Sequence, residues 1–181
     1  MAIWRQELNA FASFTTRALR LRSLRIERRL HRRAATYWQT SRKGASVPLL
    51  ANFDFACDEE FSSRGFLLNV EHARPVLIHV GEILMDEAGL SSPTIALEVV
   101  PAETLLGRFG RRYSQAIDAR APVTTEHVFD TSAGYRISCR AALLPFSATG
   151  DSIDYVYGVI SWKSELIAHS EDPALAISVH Q

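Results

Sequence analysis

Residues 135–162 read YRISCRAALLPFSATGDSIDYVYGVISW, and the hydropathy of this stretch decides the fold. Tyr135, Ile137, Cys139, Ala141 and Leu143 alternate with Arg136, Ser138 and Arg140, the period of two expected of a strand with one buried face. Ala148-Thr149-Gly150-Asp151 supplies a turn. Ile153 to Trp162 then runs apolar on both faces, as a central strand covered on both sides does.

Working outward, Pro122 opens an extended run to Phe129, and Ser132 to Gly134 turns it back into Tyr135. Upstream, Pro101 suits a first helical position and Glu103 the positive end of a helix dipole. Leu106, Phe109, Tyr113 and Ile117 follow at spacings of three and four, so one long helix is expected from Pro101 to Arg120. Ile83 to Ala88 reads as a short helix stopped by Gly89, with Ser91-Ser92-Pro93 as a loop after it. Before that, Phe66 to Val70 and Val76 to Gly81 form a hairpin around Glu71 to Pro75, and Asp54 caps a short turn through Cys57, Glu60 and Phe61. Two strands, helices and three strands make an α+β domain with a five-stranded antiparallel sheet and a helical crossover.

The first 45 residues hold eleven Lys and Arg against two Glu, while the other 136 hold nine against eighteen Asp and Glu, so the zero net charge conceals a basic arm and an acidic body. From Ile3 to about Gln39 there is no Gly or Pro, and strong helix formers dominate. A long amphipathic helix follows, with an apolar stripe through Trp4, Leu8, Phe11, Thr15 and Ala18, a break near Thr15 and Thr16, and a second stripe through Leu19, Ile26, Leu30 and Tyr37. Three partners compete for its arginines: anionic membrane, nucleic-acid phosphate, or acidic protein surface on its own body or a second copy. The acidic body favours the protein surface and disfavours nucleic acid, while a membrane surface stays as the alternative.

At 181 residues and 47% hydrophobic content, the chain suggests one domain with an appendage: an arm over 1–40, a linker over 41–52, a domain over 53–165 and a tail over 166–181. No apolar run reaches the ~20 residues of a membrane span, and Arg5 and Glu7 stand where a secretory signal needs an apolar region. Cys57 and Cys139 belong to no CxxC pair and read as buried hydrophobes. A cytoplasmic setting is expected.

Ala35-Thr36-Tyr37-Trp38, Pro48, Phe53-Asp54-Phe55, His79-Val80-Gly81, Pro101 to Leu106, Leu143-Leu144-Pro145-Phe146-Ser147 and Gly158 to Trp162 resemble the PAS-like family found mainly in alphaproteobacteria, over roughly residues 35 to 165. The resemblance implies a PAS-like fold and a sensory or regulatory module that binds a small molecule or a signalling protein, commonly as a homodimer. The amino-terminal helix is the expected dimer element.

No catalytic pattern emerges, so an enzyme is not expected and no cofactor is identified. Haem-holding relatives of this fold usually carry a histidine on the long helix, which has none here, and His79 reads as structural. Light-sensing flavin chemistry needs a cysteine in a helical motif that neither Cys57 nor Cys139 occupies. Gly107-Arg108-Phe109-Gly110-Arg111-Arg112 lacks the ending of a phosphate loop and reads as a basic helix face. His72, His127 and His169 have no metal-ligand spacing, and no serine sits in a nucleophile motif. A ligand between sheet and long helix would meet Phe109, Tyr113, Ile137, Cys139 and Tyr157, unless these simply fill the core.

Overall fold

The computed structural model describes residues 29–167. The expectations for residues 1–28, including the stripes up to Ile26, the break at Thr15 and Thr16 and the arginines from Arg5 to Arg28, fall outside these, as does the tail beyond Ile167.

Alternation from Tyr135 onward becomes β5 (Tyr135–Phe146), which pairs antiparallel with β6 (Tyr155–Leu166) from Tyr135↔Leu166 to Phe146↔Tyr155. β6 runs past the expected end at Trp162 and takes in Leu166, which was assigned to the tail. Beyond β5 lies β4 (Val123–Asp130); beyond β6 lie β1 (Gly65–Asn69), β2 (Val76–Val80) and β3 (Ile95–Ala96), giving the order β3-β2-β1-β6-β5-β4. The sheet therefore has six strands, not five. The addition is a two-residue edge, Ile95 and Ala96 against Leu77 and Val76, too short to show a period.

The turn between β5 and β6 is held by two side chains. Ser147 Oγ accepts from Gly150 N at 2.7 Å, and Asp154 accepts from Ala148 N and Ser152 Oγ, both at 2.6 Å. Those bonds, Ser152 first, draw the Asp154 carboxyl below its ordinary value. Gly150 sits at φ +112, a conformation that side chains rarely adopt.

Helices cover both faces. On one, α3 (Glu82–Ala88), α4 (Leu105–Gly110) and α5 (Tyr113–Ala119) pack Leu84, Leu106, Phe109 and Ala116 onto Phe66, Leu77, Ala141, Leu143 and Ile160. On the other, α1 (Leu30–Ser41) lays Leu30, Ala34 and Trp38 over Leu67, Ala142, Leu144, Phe146 and Val159. The α1 stripe is thus Leu30-Ala34-Trp38, with Tyr37 at its flank, where its hydroxyl accepts from Asp54 N at 3.2 Å. Asp58 caps α2 (Glu59–Arg64), and Arg33 of α1 reaches Asp58 at 2.9 Å and Glu60 at 2.6 Å. One arginine of the basic arm therefore pairs with its own body.

The expected long helix is two. The first helix starts at Leu105 under a Thr104 cap, not at Pro101, and the chain leaves helical geometry at Arg112 (φ −91, ψ 9) before α5 begins. Gly107 and Gly110 bring α4 close to its neighbours: a Cβ at Gly107 would strike the Pro101 carbonyl, and one at Gly110 the Leu97 side chain. The same glycines weaken helix continuation by about 1 kcal/mol each relative to Ala. Residues 41–52, expected as a linker, bury Val47 and bridge Leu49 to Ser147.

Trp38 donates its indole N–H to the Pro145 carbonyl at 2.6 Å in the buried α1 interface. Trp38→Phe leaves that carbonyl unpaired and is expected to destabilise the fold by about 1–3 kcal/mol in urea unfolding, with the chain still folded at neutral pH. A cost below about 0.5 kcal/mol would show that α1 is not seated as described.

His31, 5% exposed, has an unpartnered Nδ1, and burial, then Arg140, lowers its pKa from 6.5, with Glu126 opposing and Arg32 and Arg29 assisting. The unfolded chain thus binds the proton more readily, so stability should fall as pH drops below about 6.5. Urea midpoints at pH 7.5 and 5.5 should converge in His31→Phe; an unchanged difference would remove His31 as the cause.

Candidate functional site

The α3–α5 face is filled at its centre. Phe66 lies against Gly158, its cross-strand neighbour, where any Cβ would fall inside the ring. Leu143, the other cross-strand neighbour of Gly158, is fully buried beside it. Space opens toward the β4 edge, in a groove of about 180 Å³ between α4 and strands β4 and β5.

Strand alternation builds one wall. Val123, Thr125, His127 and Phe129 are half-buried while Thr124, Glu126, Val128 and Asp130 are exposed, so His127 and Phe129 face α4. His127 opposes Cys139, whose thiol donates to the His127 carbonyl at 3.4 Å. α4 supplies the other wall: Phe109 sits 5.7 Å from the His127 ring, and the Arg108 guanidinium lies 4.4 Å from the centre of the Phe129 ring. Just past α4, Arg112 donates to Thr125 Oγ1 at 3.4 Å, and Thr125 Oγ1 also shares a 3.0 Å hydrogen bond with His127 Nε2. The floor is Phe109 and Cys139, 1% and 2% exposed; the rim is cationic.

Burial pushes the Cys139 thiol above its ordinary pKa, although Arg108 and Arg112 pull it down. The thiol is therefore protonated at neutral pH and a poor nucleophile. Glu87, behind the groove, accepts from Leu105 N at 2.8 Å; burial raises its carboxyl, and the Leu105 and Leu106 amides and Arg108 oppose this.

Of the five residues expected to line a ligand site, Phe109 and Cys139 do so. Tyr113 and Ile137 pack against the same core without bordering the groove. Tyr157 is on the opposite face, in the α1 core, with its hydroxyl donating to the Phe61 carbonyl at 2.6 Å. The error was one of register: β6 is apolar on both sides, so hydropathy could not say which face each residue takes. Arg108, Arg112, His127 and Phe129 were not assigned to a site. The signals were present as two arginines four apart and an alternating His127 and Phe129 across from Cys139. His79 lies on β2 opposite Leu67, separated from the groove strands β4 and β5 by β1 and β6. Among the described residues no group of three or more His, Cys, Asp or Glu could hold a metal, and no helix is long and apolar enough to cross a membrane.

No protein-family model matches this chain, and neither does any curated protein sequence. Solved structures do match. The photo-excited blue-light photoreceptor Vivid is 20% identical over 57% of this chain and 79% of its own, at a TM-score of 0.39. The light-state dimer of the fungal photoreceptor Vivid is 16% identical over 77% of this chain and 99% of its own, at 0.40. A fungal LOV-domain photoreceptor is 16% identical over 62% and 77%, at 0.38. The PAS-like α+β architecture stands on its element order, its antiparallel sheet and its helical crossover, and these scores add no weight to it.

Thiol chemistry offers a check of the groove. Cys57 is half-buried in a short turn on the α1 side, whereas Cys139 is sealed in the groove floor. Iodoacetamide at pH 8 should label Cys57 first in the native chain and both equally in urea, read by peptide mass spectrometry. Equal native rates would mean that the floor opens.

Proposed function

We propose that this chain is a cytoplasmic PAS-like sensory and regulatory module that acts by binding a signalling protein, catalyses no reaction, and dimerises through its amino-terminal helix. Occupancy of the groove biases how α1 sits on the far face of the sheet. The observation that supports this reading is β5. Its alternate residues Cys139, Ala141 and Leu143 belong to the groove-side core, and Ala142, Leu144 and Phe146 to the α1 core. Close-packed cores switch between discrete packings, so a change on one side of a shared strand is felt on the other. The ligand or partner need only favour one packing over the other. The Arg33 pairs with Asp58 and Glu60 favour an arm that works against protein carboxylates over one given to membrane or nucleic acid.

Two measurements test the reading. Amide hydrogen exchange in Cys139→Met should change within residues 30–41 at unchanged global stability; changes confined to α4, β4 and β5 would remove the coupling. In sedimentation velocity the full chain should be a dimer and a chain beginning at Arg29 a monomer. A dimer that persists after truncation would overturn the role of the arm.

A further inference from the structure

The charged groups that line the groove are two guanidinium groups, Arg108 and Arg112, beside the His127 imidazole. Arg74, Arg136 and Arg140 are each ion-paired with an acid, as is Arg33. Among the described residues no carboxylate lies within ion-pair distance of Arg42, Arg64, Arg108, Arg111, Arg112 or Arg120, and of these Arg108 and Arg112 line the groove. Arg108 spends its Nε on the Glu103 carbonyl at 2.9 Å, and Arg112 makes only the long 3.4 Å bond to Thr125. Each keeps donors for a ligand, and the fork of a guanidinium fits a carboxylate.

Size and floor narrow the ligand. A volume of about 180 Å³ equals about six waters at ~30 Å³ each. That is room within the groove for one ring or a short branched chain. Phe109, Phe129 and Cys139 offer apolar and aromatic surface for the body of the ligand, and His127 adds one imidazole on the β4 wall.

We propose, resting on the sensory reading above, that the groove binds a small organic monoanion. The ligand is a carboxylate with a single aromatic ring or compact aliphatic body, its charge held between Arg108 and Arg112 and its body against Phe109, Phe129 and Cys139. Glu87 is the acid whose field reaches Arg108, and it opposes such a ligand.

The test is calorimetric titration of the full chain with benzoate, benzamide and inorganic phosphate, with circular dichroism of each variant as a folding control. Benzoate should bind saturably and benzamide should not. Arg108→Gln and Arg112→Gln should each weaken benzoate by at least about ten-fold, and Glu87→Gln should strengthen it. Should Arg112→Gln fail to fold, Arg108→Gln, at an exposed position, carries the test. Equal binding of benzamide, binding of phosphate without benzoate, or no binding at all would each overturn the proposal. If benzoate binds and exchange in α1 stays the same, the ligand class stands and the coupling falls. If nothing binds while Cys139→Met still alters α1, the coupling stands and the ligand class falls.

Discussion

Everything in this fold depends on the β5–β6 ladder, twelve residues against twelve, whose two faces belong to separate cores. Side chains alternate across a strand, so fixing one pair fixes the face of every other. With Leu144 opposite Tyr157, both go to α1; with Leu143 opposite Gly158, the small residue is placed under the Phe66 ring. A slip by one residue would send Leu143 to α1 and Leu144 to α3 and α4, and both covering layers would lose their seats. The Ser147 and Asp154 hydrogen bonds set that register at the turn, where one residue more or less would be cheapest.

Legibility in the sequence followed how much one residue depends on distant ones. The run from Tyr135 to Leu143 was readable because period two with arginines on one side is a local pattern, and Gly89 was readable as a helix stop because its left-handed φ of +63 is a local need. The broken helix was less so. Its apolar positions at three and four continue across Arg111 and Arg112, and the break reflects close packing of Gly107 on Pro101 and Gly110 on Leu97, which no pattern discloses. Tyr157 was misplaced because both faces of β6 are apolar. The groove was half legible: Phe109 and Cys139 lie on recognisable buried faces, whereas Arg108 and Arg112 matter only once His127 and Phe129 stand across from them.

Charge is spent unevenly over the surface. At the β4 end of the sheet, Glu126 pairs with Arg140 at 2.9 Å and Asp130 with Arg136 at 2.8 Å, and the arginines hold both carboxyls below their ordinary values. These are solvent-screened, exposed cross-strand pairs, and their effect is to keep the β4 edge charged and unattractive to other strands. On α1, Arg33 spans two acids at the start of α2 and ties the helix to the body beside the buried Tyr157. Other arginines have no acid and turn instead to carbonyls or rings, Arg64 to the Trp162 ring, Arg111 to the Val100 carbonyl and Arg120 to the Asp151 carbonyl, whereas Arg108 and Arg112 border the groove.

Why the open space lies at the edge follows from the same packing. Between the sheet and the crossover helices Phe66, Leu143, Leu106 and Phe109 fill the centre, with Gly158 making room for the aromatic ring. Free space can then persist only where the helical cover thins, and it thins where α4 gives way to α5 at Arg111 and Arg112, beside the last strand of the sheet. The helix break therefore does two things. It leaves the groove open above the buried Phe109 and Cys139, and it leaves Arg108 and Arg112 at the rim. Gly107 and Gly110 seat α4 against Pro101 and Leu97 just before the break, so the position of Arg108 and of the Phe109 floor over β4 and β5 depends on those two close approaches.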